Sequence, residues 1–176
     1  MFILFLLVFI VLPKVIDNFL SDEDFCALSS VILSDHFYWF RNPIITKGAH
    51  SNFGQMYHQF YACNNDKQSD FFSVVQPLLS KLGQLVLFRV KANLNPCDSV
   101  NTMLGDFHTD FPGFQSTTAI FYLNTNNGWT EFEDSQKIFS KSNRLVVFPQ
   151  EIRHVGFSCT DQPFRCLINI NFLARS

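Results

Sequence analysis

Three side chains that bind transition metals in proteins lie near the ends of predicted strands. His108 and Asp110 are two residues apart in "GDFHTDF", and His154 follows in "FPQEIRHVGF". Residues two apart on a strand point to one face, so His108 and Asp110 would project side by side. Two imidazoles and one carboxylate form the ligand set that leaves coordination positions open on Fe(II). Because a lone His-x-Asp pair also occurs as a hydrogen-bonded structural pair, the prediction of a metal site depends on His154.

An arginine lies on the strand that follows His154. Arg165 comes eleven residues after His154, in "FRCLININF", and no acidic residue shares its strand. A guanidinium inside a barrel is costly unless it meets an anion. Two partners fit: the carboxylate of a bound small molecule, held by two parallel hydrogen bonds, or an Asp or Glu from another strand. From the residues alone both interpretations stay open.

Alternation in three strands predicts which residues face the interior of a barrel. Each strand has one nearly apolar face, such as Cys166, Ile168 and Ile170 in "RCLININ", which suits packing beneath helices. The opposite faces carry polar groups. They comprise Arg165, Leu167, Asn169 and Asn171 in "RCLININ"; Ser116, Thr118, Ile120, Tyr122 and Asn124 in "STTAIFYLN"; and Leu85, Leu87, Arg89, Lys91 and Asn93 in "LVLFRVKANL". A barrel with a polar-lined pocket inside explains both faces.

The predicted elements are two helices followed by a series of short strands. Ser21 caps the first helix through an S-x-x-D pattern, and a second helix lies within 69–83, with Pro77 at a kink or at its regular start. Asn127-Gly128 is a hairpin signal. The order predicts an α+β domain with helices against one sheet. The strands are expected at 85–94, 105–110, 116–124, 129–133, 136–139, 144–149, 154–159 and 165–173.

Composition and charge narrow the class of protein. The 176 residues are 47% hydrophobic and 16% charged, which is typical of a folded chain, and we expect a single domain over 14–176. A net charge of −2 without a basic run makes a nucleic-acid partner unexpected. Five scattered cysteines without a CxxC pair indicate reduced thiols and a cytoplasmic location.

The chain starts with a hydrophobic N-terminal extension over 1–13, "MFILFLLVFIVLP". Its apolar run is shorter than the roughly 20 residues that span a bilayer, and no small-residue cleavage site follows. A segment packed on the core is therefore favoured over a targeting segment, and membrane association or export stays open.

The order of these motifs resembles that of the 2-oxoglutarate/Fe(II)-dependent dioxygenases, in the prolyl 4-hydroxylase-like branch with its small phage-encoded members. The matching pieces span Arg89–Phe172, and "KVIDNFLS" is similar to the usual opening strand and helix cap of the family. They are "HTD", "TTAIFYLN", "NGWTEF", "VVFP", His154 and Arg165. The resemblance implies a double-stranded β-helix (jelly-roll) barrel, with N-terminal helices packed on one sheet.

The resemblance also implies what the metal ligands and the reaction would be. His108, Asp110 and His154 would bind Fe(II). With 2-oxoglutarate as cosubstrate and O2, the chain would hydroxylate a C–H bond and release succinate and CO2. The implied substrate is a protein or peptide side chain, prolyl by resemblance, with a small molecule as the alternative. Asn171 stands where some protein-hydroxylating relatives carry a large aromatic group, so the substrate is the weakest part of the comparison.

Four further residues are implied as cosubstrate contacts. Arg165 would pair with the distal carboxylate of 2-oxoglutarate, and the Tyr122 hydroxyl would be a second donor. Thr118 and Asn93 would line the same pocket.

Two other functions fit part of the pattern. A His/Asp/His zinc-dependent hydrolase would use a metal-activated water, but it leaves Tyr122 and Arg165 without a role. A catalytically inactive jelly-roll binding module would keep the fold alone. Dependence on Fe(II) and 2-oxoglutarate distinguishes the dioxygenase from both.

Overall fold

The structure, a computed structural model, describes residues 12–42, 54–64, 68–110 and 115–175. Within these residues the strands form two antiparallel sheets, one of seven strands in the order β1-β8-β5-β10-β4-β3-β2 and one of three in the order β7-β6-β9. The strands of the larger sheet are β1 (Lys14–Ile16), β2 (Phe40–Asn42), β3 (Gln55–Ala62), β4 (Leu85–Pro96), β5 (Thr117–Tyr122), β8 (Arg144–Pro149) and β10 (Phe164–Ala174). Those of the smaller sheet are β6 (Trp129–Phe132), β7 (Lys137–Phe139) and β9 (His154–Gly156).

Two helices cover the outer face of the larger sheet. Helix α1 (Asp22–Ile32) begins where the Ser21 hydroxyl accepts a hydrogen bond from the Asp24 backbone N–H at 3.1 Å, as the capping pattern predicts. A 3-10 helix (Phe72–Val75) leads into α2 (Gln76–Leu82). Pro77 occupies the first turn of α2, where its missing N–H costs nothing, so it marks the start of the regular helix.

The main hydrophobic core lies between these helices and the outer face of the larger sheet. Leu28 and Ile32 of α1 and Leu78 of α2 are buried in one cluster with the apolar faces of β4, β5 and β10. Cys166, Ile168 and Ile170 of β10 belong to this cluster, so the predicted outer face of that strand is confirmed.

A β-bulge changes which residues of β4 face the core. Asn171 pairs with Arg89, but Phe172 pairs with Leu87, so Phe88 is the extra residue. Leu85 and Leu87 therefore pack against the core, whereas simple alternation predicted them on the polar face. From Arg89 onward the predicted alternation holds, because the bulge lies before it.

Three predictions about local structure are wrong. Strands β2 and β3 lie between the helices, where none was predicted. The stretch 105–110 forms a single β-bridge at His108 rather than a strand. Asn127-Gly128 does not close a hairpin: it lies between β5 and β6, which belong to different sheets, and the Asn126 side chain accepts the Gly128 N–H at 3.0 Å.

The hydrophobic N-terminal extension lies almost entirely outside the described residues, which begin at Leu12. Among the described helices, none is long and apolar enough to cross a membrane.

Candidate metal centre and cosubstrate cavity

A cavity of about 220 Å³ lies between the two sheets. Residues from β4, β5 and β10 form one wall, and residues from β6 and β9 form the other. Its lining comprises Gln55, Arg89, Lys91, Asn93, Asn95, Leu104, His108, Thr109, Asp110, Ile120, Thr130, His154, Gly156, Arg165, Leu167 and Asn169. The lining thus includes part of the polar face predicted for each of two strands: Arg89, Lys91 and Asn93 of β4, and Arg165, Leu167 and Asn169 of β10.

His108, Asp110 and His154 meet at one side of the cavity. One potential ligand atom from each residue lies within 4.8 Å of the others. The backbone sets this arrangement: His108 N donates to His154 O at 3.1 Å, and His154 N donates to His108 O at 3.0 Å. This bridge places the two rings 4.9 Å apart, and Asp110 follows two residues later on the same side.

Both imidazoles are oriented by their Nδ1 atoms. His108 Nδ1 lies 2.9 Å from Asp106 O, and His154 Nδ1 lies 3.4 Å from Ile152 O. A carbonyl can only accept, so each Nδ1 carries a proton, and in the neutral form of each ring the lone pair lies on Nε2. Burial lowers the pKa of His154, which favours the neutral ring that a metal requires.

The side chain of Asp110 is only 6% exposed and is hydrogen-bonded by two neighbours. Arg89 Nη2 lies 2.9 Å from Oδ1, and Asn171 Nδ2 donates to Oδ2 at 3.0 Å. Burial opposes ionisation, but Arg89, the two histidines and the Asn171 hydrogen bond hold the pKa of Asp110 below its usual value. Asp110 is thus a carboxylate. Two imidazole nitrogens with free lone pairs and one ionised carboxylate are the donor set that suits Fe(II), so these residues fit the metal that the resemblance implies.

Arg165 also lines the cavity and is fully buried. Its Nε donates to Ser140 Oγ at 2.8 Å and its Nη2 to Thr130 Oγ1 at 3.0 Å. Its Nη1 lies against Gly156, where a β-carbon on the glycine would be 3.3 Å away. Among the described residues no carboxylate forms an ion pair with Arg165, so the alternative of an Asp or Glu from another strand finds no partner there. Burial lowers the pKa of Arg165.

The other three predicted contacts occupy different positions. Asn93 lines the cavity, and its Oδ1 is buried with no hydrogen-bond partner in the described structure. Tyr122 and Thr118 are not among the lining residues. The Tyr122 hydroxyl donates to Thr130 Oγ1 at 2.8 Å, and Thr118 Oγ1 accepts from Asn171 at 3.1 Å.

Sequence reasoning missed Thr130 and Ser140. Thr130 alternates with Trp129 and Glu131 in "WTEF", so the sequence could have predicted that it points inward. Its contact with Arg165 joins two sheets, which no local pattern predicts. Ser140 follows β7 and carries no motif. These hydroxyls and Tyr122 form a buried network that fixes the guanidinium of Arg165.

Lys91 adds a further positive charge to the lining of the cavity. Its Nζ lies 3.4 Å from Gln55 Oε1 and 5.0 Å from the centroid of the Tyr57 ring. Burial and the neighbouring Arg89 lower its pKa to about 8. Across the strand pair, Lys91 is in register with Asn169, whose Oδ1 is buried without a partner among the described residues.

The fold is shared with several solved oxygenases. A viral collagen prolyl hydroxylase from Paramecium bursaria Chlorella virus-1, in complex with 2-oxoglutarate, aligns with a TM-score of 0.60 at 15% identity over 93% of this chain and 96% of that chain. A Trichoplax adhaerens prolyl hydroxylase bound to a hypoxia-inducible-factor peptide aligns with a TM-score of 0.58 at 16% identity over 92% and 83%.

A third similar structure is an epimerase rather than a prolyl hydroxylase. The non-heme α-ketoglutarate-dependent epimerase SnoN of nogalamycin biosynthesis aligns with a TM-score of 0.65 at 14% identity over 92% of this chain and 77% of that chain. No protein-family model and no curated protein sequence matches the chain. The predicted double-stranded β-helix with helices on one sheet is confirmed by these structures.

Proposed function

We propose that the protein is a 2-oxoglutarate- and O2-dependent Fe(II) dioxygenase that hydroxylates a C–H bond. The observation that carries this proposal is the content of one cavity: three side chains that could bind a metal, and a buried arginine that forms no ion pair with a carboxylate of the described residues. A dicarboxylate that binds a metal at one end and a guanidinium at the other suits both features.

His108, Asp110 and His154 would hold Fe(II) through Nε2 of each imidazole and a carboxylate oxygen. When bound, Fe(II) and 2-oxoglutarate supply oxidative chemistry with O2 that side chains lack. Arg165 would orient the distal carboxylate of the cosubstrate, and Thr130 and Ser140 hold Arg165 in place for that contact. Tyr122 would act through Thr130 rather than on the cosubstrate directly.

Apolar side chains would keep bulk water from the reacting groups. Ile120 and Leu167 face the cavity from the larger sheet, and Leu104 faces it from the segment before His108. A dry pocket strengthens the contact between Arg165 and a carboxylate, since the local dielectric is low. The expected products of the cosubstrate are succinate and CO2.

The proposed substrate is a protein or peptide side chain, with proline as the first candidate. One structural neighbour is a prolyl hydroxylase bound to a peptide, which supports this choice, whereas the epimerase SnoN supports a small molecule instead. Incubating the active protein with proline-containing peptides and searching by mass spectrometry for the gain of one oxygen atom tests the peptide substrate.

Succinate formation tests the class of reaction. We expect purified protein to convert 2-oxoglutarate to succinate only when Fe(II) and O2 are both present, and His108→Ala to abolish the conversion. His36→Ala, at an exposed position after α1, is the matched control and should keep it. Hydrolysis of ester substrates with Zn(II) and no need for 2-oxoglutarate would instead support the zinc hydrolase.

A further inference from the structure

We propose that the primary substrate carries an oxyanion, a carboxylate or a phosphate, and that Lys91 binds it. This inference rests on the proposed function, because it assigns a part of the cavity that iron and 2-oxoglutarate leave unexplained.

The charges that line the cavity do not cancel. Arg89, Lys91 and Arg165 are cations, and Asp110 is the one carboxylate among the described lining residues, so the lining carries two net positive charges. A divalent iron and a doubly negative 2-oxoglutarate cancel each other and leave that excess unchanged. Uncompensated charge in a half-buried site is costly, so an additional anion is expected there.

Lys91 forms no ion pair with a carboxylate of the described residues. Arg89 pairs with Asp110 at 2.9 Å, and Arg165 faces the proposed position of the cosubstrate. The contacts of Lys91 in the described structure are a long hydrogen bond to Gln55 and the face of Tyr57. Neither partner is charged. Arg89 lies two residues away on the same face and repels Lys91, and the weaker attraction of Asp110, which is already paired with Arg89, does not offset that repulsion.

The charged ends of Lys91 and Arg165 have different hydrogen-bond partners. The Lys91 ammonium leans toward Gln55 and Tyr57 of β3, at one side of the larger sheet. The Arg165 guanidinium is held by Thr130 of β6 and by Ser140, next to the smaller sheet. Two cations with separate partners can bind two different anions.

A buried amide oxygen opposite Lys91 also points to a ligand. Asn169 is directly opposite Lys91 on β10, and its buried Oδ1 accepts no hydrogen bond from the described residues. Buried polar atoms without partners are rare in folded proteins. A ligand with an oxyanion for Lys91 and a nearby N–H or O–H for Asn169, such as an acidic peptide or a hydroxy acid, would satisfy both.

Equilibrium dialysis on the loaded protein tests this assignment. Protein saturated anaerobically with Fe(II) and 2-oxoglutarate is dialysed against labelled acetate, methyl phosphate and, as a neutral analogue of acetate, acetamide. We expect saturable binding of an anion but not of acetamide. Tighter binding of acetate would indicate a carboxylate substrate, and tighter binding of methyl phosphate would indicate a phosphate substrate.

Variants of Lys91 locate the binding. Lys91→Gln should weaken anion binding at least about tenfold, Lys91→Arg should restore most of it, and the exposed Lys14→Gln should match wild type. Equal binding by wild type and Lys91→Gln, or no saturable binding of either anion, would overturn the proposal. So would a Lys91→Gln protein whose affinity for 2-oxoglutarate falls while anion binding stays, since Lys91 would then belong to the cosubstrate.

A stability measurement separates a binding lysine from a structural one. A half-buried cation that binds a ligand destabilises the protein while no ligand is bound, because its charge is then uncompensated. Lys91→Met should therefore raise the melting temperature of the protein without ligands. A lower melting temperature would show that Lys91 stabilises the fold and would contradict the proposal. The visible band of the iron–2-oxoglutarate complex is recorded on the same samples: its absence from wild type would overturn the proposed function itself, and this inference with it.

Discussion

Asp110 is fixed between Arg89 and Asn171, and these two residues are also bonded to each other. Arg89 Nη2 lies 2.9 Å from Oδ1 of Asp110, Asn171 Nδ2 donates to Oδ2 at 3.0 Å, and Arg89 Nε donates to Asn171 Oδ1 at 3.0 Å. Thr118 extends the network by accepting from Asn171 at 3.1 Å. The carboxylate proposed as a metal ligand is therefore oriented before any metal binds.

Removing Asn171 should weaken metal binding without removing a ligand. Asn171→Ala takes away the donor to Oδ2 and frees the carboxylate to rotate, so we expect the affinity for Fe(II) to fall about tenfold or more. Anaerobic titration with a competing chelator measures it. Asn64→Ala, at an exposed position, is the matched control. Unchanged affinity in Asn171→Ala would show that the network does not position the ligand.

Replacing Arg165 should separate cosubstrate binding from metal binding. Arg165→Gln keeps a polar side chain but removes the charge, so affinity for 2-oxoglutarate should fall by about a hundredfold while Fe(II) affinity changes little. Isothermal titration with each ligand in turn gives both values. The exposed Arg175→Gln should behave as wild type. Equal affinity for 2-oxoglutarate in wild type and Arg165→Gln would remove Arg165 from the cosubstrate site.

Two glycines, Gly128 and Gly156, pack directly against the Arg165 side chain. A β-carbon at Gly128 would lie 2.8 Å from Arg165 Cδ and 2.9 Å from the Phe157 carbonyl, whereas one at Gly156 would lie 3.3 Å from Arg165 Nη1. Gly128→Ala should therefore lower the free energy of unfolding by about 1–3 kcal/mol. Urea denaturation measures this change. Gly156→Ala should destabilise the fold less and weaken 2-oxoglutarate binding, and the opposite ranking in stability would contradict this packing.

An ion-pair group at the edge of the larger sheet should make stability depend on pH. Asp17 lies 2.6 Å from Arg144 and 2.9 Å from Lys141, and the Arg144 hydrogen bond holds the pKa of Asp17 well below its usual range. A lowered pKa in the folded state stabilises the protein above the unfolded value of about 4, and this stabilisation disappears as the pH falls through the folded pKa.

The Asp17 effect should be small because the carboxyl is 37% exposed. We expect Asp17→Asn to cost up to about 1 kcal/mol at pH 7, and the difference from wild type to shrink near pH 2. Chemical denaturation at both pH values measures it, with Asp35→Asn, an exposed acid, as control. A difference that grows on acidification would contradict the sign.

Much of the cavity was predictable because strand alternation is a local property. The alternation in β10 puts Arg165 and Asn169 inside and Ile168 and Ile170 outside, as observed. The bulge at Phe88 was not predictable, since an extra residue leaves no mark on the hydrophobic pattern. Strand β3 was missed because its residues, "QMYHQFYA", mix aromatic and polar side chains, and pairing with β4 rather than local pattern stabilises it.

The partners of the predicted site residues depend on contacts distant in sequence. Tyr122 shares its face of β5 with Ile120, which does line the cavity, yet Thr130 from the other sheet lies over the Tyr122 hydroxyl. Likewise, the pairing of Asp110 with Arg89 and Asn171 joins three segments that no motif relates. The residue types and spacing predict which side chains would do chemistry, and the packing of the two sheets decides which neighbours support them.

Optical titration of the anaerobic protein tests the dioxygenase proposal most directly. Fe(II) and then 2-oxoglutarate are added to wild type, His108→Ala and Arg165→Gln, and the weak visible charge-transfer band of the iron–2-oxoglutarate chelate is followed. We expect a band with wild type, none with His108→Ala, and a band with Arg165→Gln only at much higher 2-oxoglutarate concentrations. Wild-type protein that binds Fe(II) but forms no band with 2-oxoglutarate would contradict the dioxygenase proposal.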